Sequence, residues 1–394
     1  LPVESRWYRR EAKPIPFLLS AVFAATVSLS AFYTPPSPLP PGQAGTVIRS
    51  EAFSGGSALP SAARNERVLY EVSAPDGSML AVSGTVAIPQ GLPPVGGWPL
   101  ISWAHGTTGN GPQCAPSRTD GPNVEQRMLE AFVRRGYAVA QTDYRGNGTP
   151  GVHPYMVAPS LARDVADIVV AARSLEPQIG VDWIAMGHSE GGAMALASAA
   201  RGQRLLPGLR LVGVVSYAPF AFPQDVQTGE QFNADPNYGF MVLALMVEGF
   251  ATIDPRIVPS RMFEPQAARL LPQLETRCFS ELAHDADWNA IVPRAATRVS
   301  ADGDFAALHE DLVANDAANL RISVPTLLVQ GGDDNQISAT STMEVQNLYR
   351  ARGTSVSTLS YPGADHGSAL LQSIDDVAPW VAARFAAARG SSSS

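Results

Sequence analysis

Six short, mostly apolar runs recur along the chain: Pro99 to Ala104, Tyr137 to Thr142, Val181 to Met186, Leu211 to Tyr217, Thr326 to Gln330 and Val356 to Tyr361. Short continuous runs of this kind, without strict alternation, are those of strands buried on both faces. Stretches with helical spacing fall between them. In Ser160 to Leu175, the positions Leu161, Val165, Ile168, Val169 and Ala172 share one face, and Ser160 is placed to cap the first turn. Val124 to Arg135, Ser341 to Arg352 and Ile374 to Arg389 complete the set. This alternation predicts an α/β fold, a mostly parallel central sheet with helices on both sides. Ahead of it, Arg67 to Ser73 and Leu80 to Ile88 flank the turn Ala74-Pro75-Asp76-Gly77 and predict an edge hairpin. Phe32 to Ser61, rich in Pro, Gly and Ser, reads as an extended surface arm.

The rhythm breaks between Pro219 and Ser323, where helical and Pro-punctuated segments replace strands, which predicts an inserted helical cap. The domain reading is therefore an N-terminal segment over 1–31, a core over 32–219, a cap over 220–322, the rest of the core over 323–390, and a Ser-rich tail over 391–394. In the N-terminal segment, basic residues from Arg6 to Lys13 precede the apolar stretch from Ile15 to Phe32, the layout of an export signal or an uncleaved anchor. The layout predicts export to an extracellular or periplasmic space.

At 394 residues and 45% apolar, the chain is long enough for one large elaborated core. Its formal charge of −8 includes a positive surplus in the N-terminal segment, so the remainder is more acidic still. Nucleic acid is excluded as a partner class, because no basic cluster interrupts that acidity. The two cysteines, Cys114 and Cys278, fit one disulfide in a secreted protein or two buried thiols otherwise. No cysteine or histidine spacing suggests a metal site.

The chemistry centres on Met186-Gly187-His188-Ser189-Glu190-Gly191-Gly192. A serine on a sharp strand-to-helix turn needs neighbours without side chains two residues away on each side, and Gly187 and Gly191 meet that need. Val181 to Met186 supplies the strand, and the small residues from Gly192 to Ala197 supply a helix start. A serine hydroxyl needs a base, and the base an orienting carboxylate, in the chain order nucleophile, acid, histidine. Of six histidines, His366 alone lies beyond the last pair of buried strands. The acid is Asp334 or Asp333 in the loop after Thr326 to Gln330, with the G-x-x-D-x-x-I spacing favouring Asp334. An oxyanion needs backbone donors, and the glycine-rich loop His105-Gly106-Thr107-Thr108-Gly109 offers Thr107 N–H, or Thr108, beside Glu190 N–H. His105 reads as a brace for that loop. The side chains of His188 and Glu190 are expected to point away from the reacting bond and are given no proton transfer.

These residues, with Phe32-Tyr33-Thr34-Pro35-Pro36, Trp103 to Gly109, Cys114-Ala115-Pro116-Ser117, Asp143-Tyr144, Gly148-Thr149-Pro150-Gly151 and His153-Pro154-Tyr155, resemble the secretory lipase family of α/β-hydrolases, to which the Candida-type lipase A enzymes belong. The resemblance implies the α/β-hydrolase fold with a helical lid, ester hydrolysis, secretion, no cofactor, and a disulfide joining Cys114 to Cys278; the partner expected is a small-molecule or lipid ester, with a lipid–water interface as a candidate. It supports Ser189, Asp334 and His366 as the triad. The chain departs from it in carrying His188 and Glu190 in the elbow and in lacking a second cysteine pair. The Arg-rich, almost Lys-free composition points to a bacterial source. Phe232, Tyr238, Phe240 and Met241, in the most apolar stretch of the cap, are the acyl-contact candidates, with Thr108 and Tyr144 closer to the nucleophile. A serine peptidase on the same fold, and a non-catalytic binding protein on a hydrolase scaffold, are the rival readings.

Overall fold

The computed structural model of the chain describes residues 30–119, 121, 123–222, 236–291 and 304–391. The export signal or anchor, the end of the tail, and Phe232 lie outside the described residues. Nine strands form one sheet: β1 (Val47–Ala52), β2 (Ala62–Ser73), β3 (Met79–Pro89), β4 (Trp98–Ala104), β5 (Ala138–Thr142), β6 (Ile179–His188), β7 (Arg210–Tyr217), β8 (Thr326–Gly331) and β9 (Val356–Tyr361). Their order across the sheet is β1-β2-β3-β5-β4-β6-β7-β8-β9. The first three strands run antiparallel to one another and β3 antiparallel to β5, while the strands from β5 to β9 are parallel.

Apolar side chains on the two faces make two cores. On one face β4 to β7 carry α2 (Ala158–Leu175) and α3 (Glu190–Leu205); on the other α1 (Val124–Val133) packs with α7 (Ile374–Ser391). Leu100, Ala104, Ala185 and Val214 face the first core, and Ile101, Trp103, Ile184 and Val215 the second, the two-faced burial that leaves such strands without polar alternation. Helix α6 (Ala339–Ala351) joins β8 to β9.

Three details differ from the sequence reading. The β2–β3 hairpin turns at Ala74 to Gly77 as expected, with Gly77 at φ 86° and its N–H on Ala74 O, but it is not the edge. That place belongs to β1, a half-exposed strand inside the segment read as an arm. Helix α2 starts two residues before Ser160, because Pro159 occupies its first turn, where a missing N–H is no loss. Finally, β9 is the opposite edge and only partly buried.

The segment ahead of β1 is anchored rather than loose. Phe32 and Tyr33 are buried, Arg67 lies over the rings of Phe32, Tyr33 and Phe53, and Tyr33 Oη shares a 2.8 Å hydrogen bond with Ser117 Oγ. Between β7 and β8 the described residues hold α4 (Pro236–Ala251), several short helical turns, and α5 (Asp304–Asn315), with no strand. A disulfide joins Cys278 in this segment to Cys114 after β4. No helix of the described residues is long and apolar enough to cross a membrane.

Candidate active site

Four parallel strands end at one edge of the sheet, and the loops that follow them carry Thr107 (after β4), Ser189 (after β6), Asp334 (after β8) and His366 (after β9). In open α/β sheets this edge is where ligands bind. Ser189 has φ 58° and ψ −119°, a left-handed conformation that costs a non-glycine residue about 1–3 kcal/mol and persists where neighbours enforce it. Here they do. Its N–H donates to Tyr217 O at 2.9 Å, and its carbonyl accepts from Phe220 N–H and Ala193 N–H. A Cβ on Gly187 would meet Gly191 O at 2.1 Å, and one on Gly191 would meet Ala104 O at 2.0 Å. Helix α3 begins at Glu190, so the Glu190 N–H is one of the donors that an α-helix leaves without an internal acceptor.

Asp334 and His366 meet across the β8 and β9 loops, with Nδ1 of His366 2.7 Å from Oδ2 of Asp334. The other oxygen of Asp334 accepts from Gln336 N–H at 2.9 Å and Ile337 N–H at 2.8 Å. Burial pushes this carboxyl up, but the His366 bond and charge and those two backbone donors outweigh it and hold the group below its ordinary value. It is thus a carboxylate. Asp333, the alternative, is exposed, and the carboxylate bonded to the ring is that of Asp334. His366 is lowered, by burial first and the charge of His188 second, against the opposing pull of Asp334. The neutral ring, able to accept a proton at Nε2, is therefore the favoured form at neutral pH.

Ser189 and His366 line a common cavity of about 190 Å³. Thr107, Thr108 and Gln336 line it with polar groups, and Val124, Tyr155, Phe220, Tyr238, Val242, Phe279 and Ile337 supply its aromatic and aliphatic lining. The capping box in which Asn123 and Gln126 exchange side-chain and backbone bonds starts α1, which brings Val124 and Glu125 into the lining. Thr107 Oγ1 and Tyr155 Oη are 2.8 Å apart. Phe279 is fixed through its N–H on Thr108 O at 2.8 Å, next to the Cys114–Cys278 disulfide.

The expected acyl contacts divide. Tyr238 and Thr108 line the cavity. Phe240 and Met241 do not, because they sit on the inward side of α4, where Phe240 packs against Phe263 and Trp288. Tyr144 is also removed from the cavity. It is fully buried, packs 4.3 Å from the ring of His105, and donates from its hydroxyl to His105 O. His105 faces Gly106 O and Asp143 O, as a loop brace does. Glu190 points away from the cavity into a 2.9 Å contact with His153. His188 departs from expectation: it lines the cavity and lies against His366, their ring centroids 4.4 Å apart. Val242, one helical turn after Tyr238, could have been found from i, i+4 spacing; Phe220 and Phe279 carry no such signal. Among the described residues no cluster of His, Cys, Asp and Glu could hold a metal ion.

Comparison with known proteins agrees with this architecture. The family model described as Hydrolase_4, serine aminopeptidase S33, matches residues 123–370. A Legionella pneumophila protein superposes with a TM-score of 0.70 at 21% identity, over 84% of this chain and 96% of that one. Candida antarctica lipase A superposes with a TM-score of 0.70 at 16% identity, over 86% and 81%. The rice cell wall degrading esterase LipA of Xanthomonas oryzae gives 0.66 at 18%, over 84% and 95%. At these identities the superpositions establish the fold, which agrees with the resemblance read from the motifs. A search of curated proteins finds no match.

Proposed function

The chain belongs to the Hydrolase_4 family of α/β-hydrolases, and from that premise we propose that it is a secreted serine carboxylic-ester hydrolase working through an acyl-enzyme on Ser189. One observation carries the reading: a serine held in a left-handed turn shares a cavity with a histidine that is itself oriented by a buried aspartate. Ser189 Oγ attacks the ester carbonyl while His366 Nε2 takes its proton, and Asp334 steadies the imidazolium that results. The developing oxyanion is met by the backbone N–H groups of Thr107 and Glu190, each typically worth about 10²- to 10³-fold in rate. His366 returns the proton to the departing alcohol. Water then attacks the acyl-enzyme by the same base, releasing the acid and Ser189.

The residues from 220 to 322 form the cap over the acyl group on this reading, with the core on either side of it. Support comes from Tyr238, Val242 and Phe279, which reach the cavity from that segment. The disulfide, together with an N-terminal sequence laid out like an export signal or an anchor, supports the secreted reading.

Because the family model is described as an aminopeptidase, the peptidase reading keeps a specific observation in its favour. Recognition of a peptide's N-terminal ammonium calls for an available carboxylate in the cavity. Glu125 is the acidic residue of the described lining, and its oxygens already accept from Trp103 Nε1, Gly106 N–H and His188. That favours the ester. The test is initial rates on p-nitrophenyl esters from acetate to palmitate beside aminoacyl-anilides. Wild type is expected to turn over esters, and Ser189→Ala to lose about 10⁵-fold. Anilide turnover with no ester turnover would reverse the assignment.

A further inference from the structure

His188 immediately precedes the nucleophile, and no step of the reaction above uses it. Its ring is closely held. It is 6% exposed, with Nδ1 3.0 Å from Glu125 Oε1 and Nε2 3.0 Å from the carbonyl oxygen of His366. Both partners are acceptors. A carbonyl oxygen has no proton to give, so Nε2 must carry one. Glu125 already accepts from Gly106 N–H at 2.9 Å and Trp103 Nε1–H at 3.1 Å, donors that favour the carboxylate over the acid, so Nδ1 must carry the other. A neutral imidazole has one N–H and can make only one of these bonds.

We propose that His188 is a doubly protonated positioning residue: paired as an imidazolium with the buried Glu125 carboxylate, it clamps the main chain of His366 and sets its charge beside that ring, centroid to centroid 4.4 Å. The proposal rests on His366 being the base. His366 is then fixed at two points, its ring by Asp334 and its carbonyl by His188. Two hydrogen-bonded partners leave the loop after β9 little freedom to carry Nε2 away from Ser189.

The charged and titratable groups around the pair are few. His366 is faced by Asp334 from the loop after β8, His188 from the elbow and Glu125 from α1, and Glu125 by His105 from the loop after β4. Burial and then the His188 charge lower His366, while Asp334 and Glu125 pull it up. Burial raises Glu125, but the bond and charge of His188, the charge of His105 and the Gly106 N–H outweigh that and leave it lowered.

The test uses the full chain and two readouts. With nitrogen-15 in histidine, the ring nitrogens of His188, identified by their disappearance in His188→Gln, should both be protonated at pH 7. In Glu125→Gln, which keeps the side-chain shape, one of those protons should be lost. One bare nitrogen on wild-type His188 overturns the proposal, whether or not the protein cleaves esters. For the second readout, active sites are counted with a fluorophosphonate. Per labelled site, His188→Gln should lower kcat about tenfold with KM within about twofold, an orientation loss rather than a binding loss. The acid limb of kcat/KM should move up by about one on the pH scale as the neighbouring charge is removed. An acid limb unchanged from wild type, with only the thermal midpoint and labelled fraction reduced, would mark a purely structural role and overturn it. If His188→Gln does not fold, Glu125→Gln carries both readouts through its kcat and its lost proton. If wild type neither labels nor turns over esters, the reading of Ser189 fails instead, and the nitrogen shifts still decide the state of His188.

Discussion

Gly191 lies two residues past the nucleophile, with Ala104 O, Ala104 C and His105 O all within 2.5 Å of where a Cβ would stand. Backbone atoms of a central strand cannot move aside as a flexible side chain can. Gly191→Ala is therefore expected to destabilise the protein by about 1–3 kcal/mol or more and to displace Ser189, removing ester turnover. Denaturant midpoints and p-nitrophenyl ester rates check this, and a variant that is stable and active would mean the elbow is looser than its contacts imply. The same contacts explain why this part of the site was legible in sequence. A demand for missing side chains at fixed spacing is written directly in residue identity, and so is the order Ser189, Asp334, His366. The role of His188 was not, because it depends on Glu125, brought beside it from a distant helix, and on a carbonyl that no residue letter records.

Helix α2 carries two acids three residues apart on its buried side, and they fare differently. Asp164 is met by Arg145 through Nη2 at 2.6 Å and by the Arg145 backbone N–H at 2.9 Å. Asp167 has no such cation, and its Oδ2 is without a partner among the described residues. Burial first, and the neighbouring charge of Asp164 second, push Asp167 up to about 7 from 3.8. Between these values the native protein holds a proton that the unfolded chain has released, so stability falls as pH rises through this window and the loss is complete above it. Asp167→Asn escapes the ionisation while keeping an acceptor oxygen. It is expected to be more stable than wild type by about 1–3 kcal/mol at pH 8, with the gain shrinking towards pH 4. Urea melts at the two pH values measure it; an equal effect at both would place the cause outside this carboxyl. Elements were read well from sequence where burial is uniform, as in β4 to β8, and poorly at the edges. Strand β1, half exposed from Val47 to Ala52, lacks an apolar run, and the start of α2 was set by Pro159 rather than by the serine after it.

At the scale of the molecule, the cavity is made where parts distant in sequence converge, and this is why its walls were the least legible feature. Cys114 and Cys278, 164 residues apart, join the loop after β4 to the segment between β7 and β8 and hold Phe279 beside Thr108. Apolar residues of α4 look alike in sequence, and packing decides that Tyr238 and Val242 line the cavity while Met241 is buried in the core and Phe240 packs against Phe263 and Trp288. The space these walls leave, about 190 Å³, lies below the roughly 300–1,000 Å³ of pockets that enclose drug-sized ligands. A short acyl chain fits such a volume, whereas a long one must displace Val242, Phe279 or Phe220 or leave its methylenes in water. Each methylene that a pocket does accept adds about 1–3 kcal/mol of discrimination, so the rate should rise over the first few carbons and then fall once the walls are met. Ester turnover is thus expected to peak between acetate and hexanoate and to be about 10²-fold lower for palmitate. Val242→Ala and Phe279→Ala should each move the peak to longer chains with little change in the rate on acetate, because they enlarge the wall without touching Ser189, His366 or Asp334. A wild type fastest on palmitate would mean that the walls open in solution, and chain length would then be set by the motion of the 236–291 segment rather than by the volume it encloses.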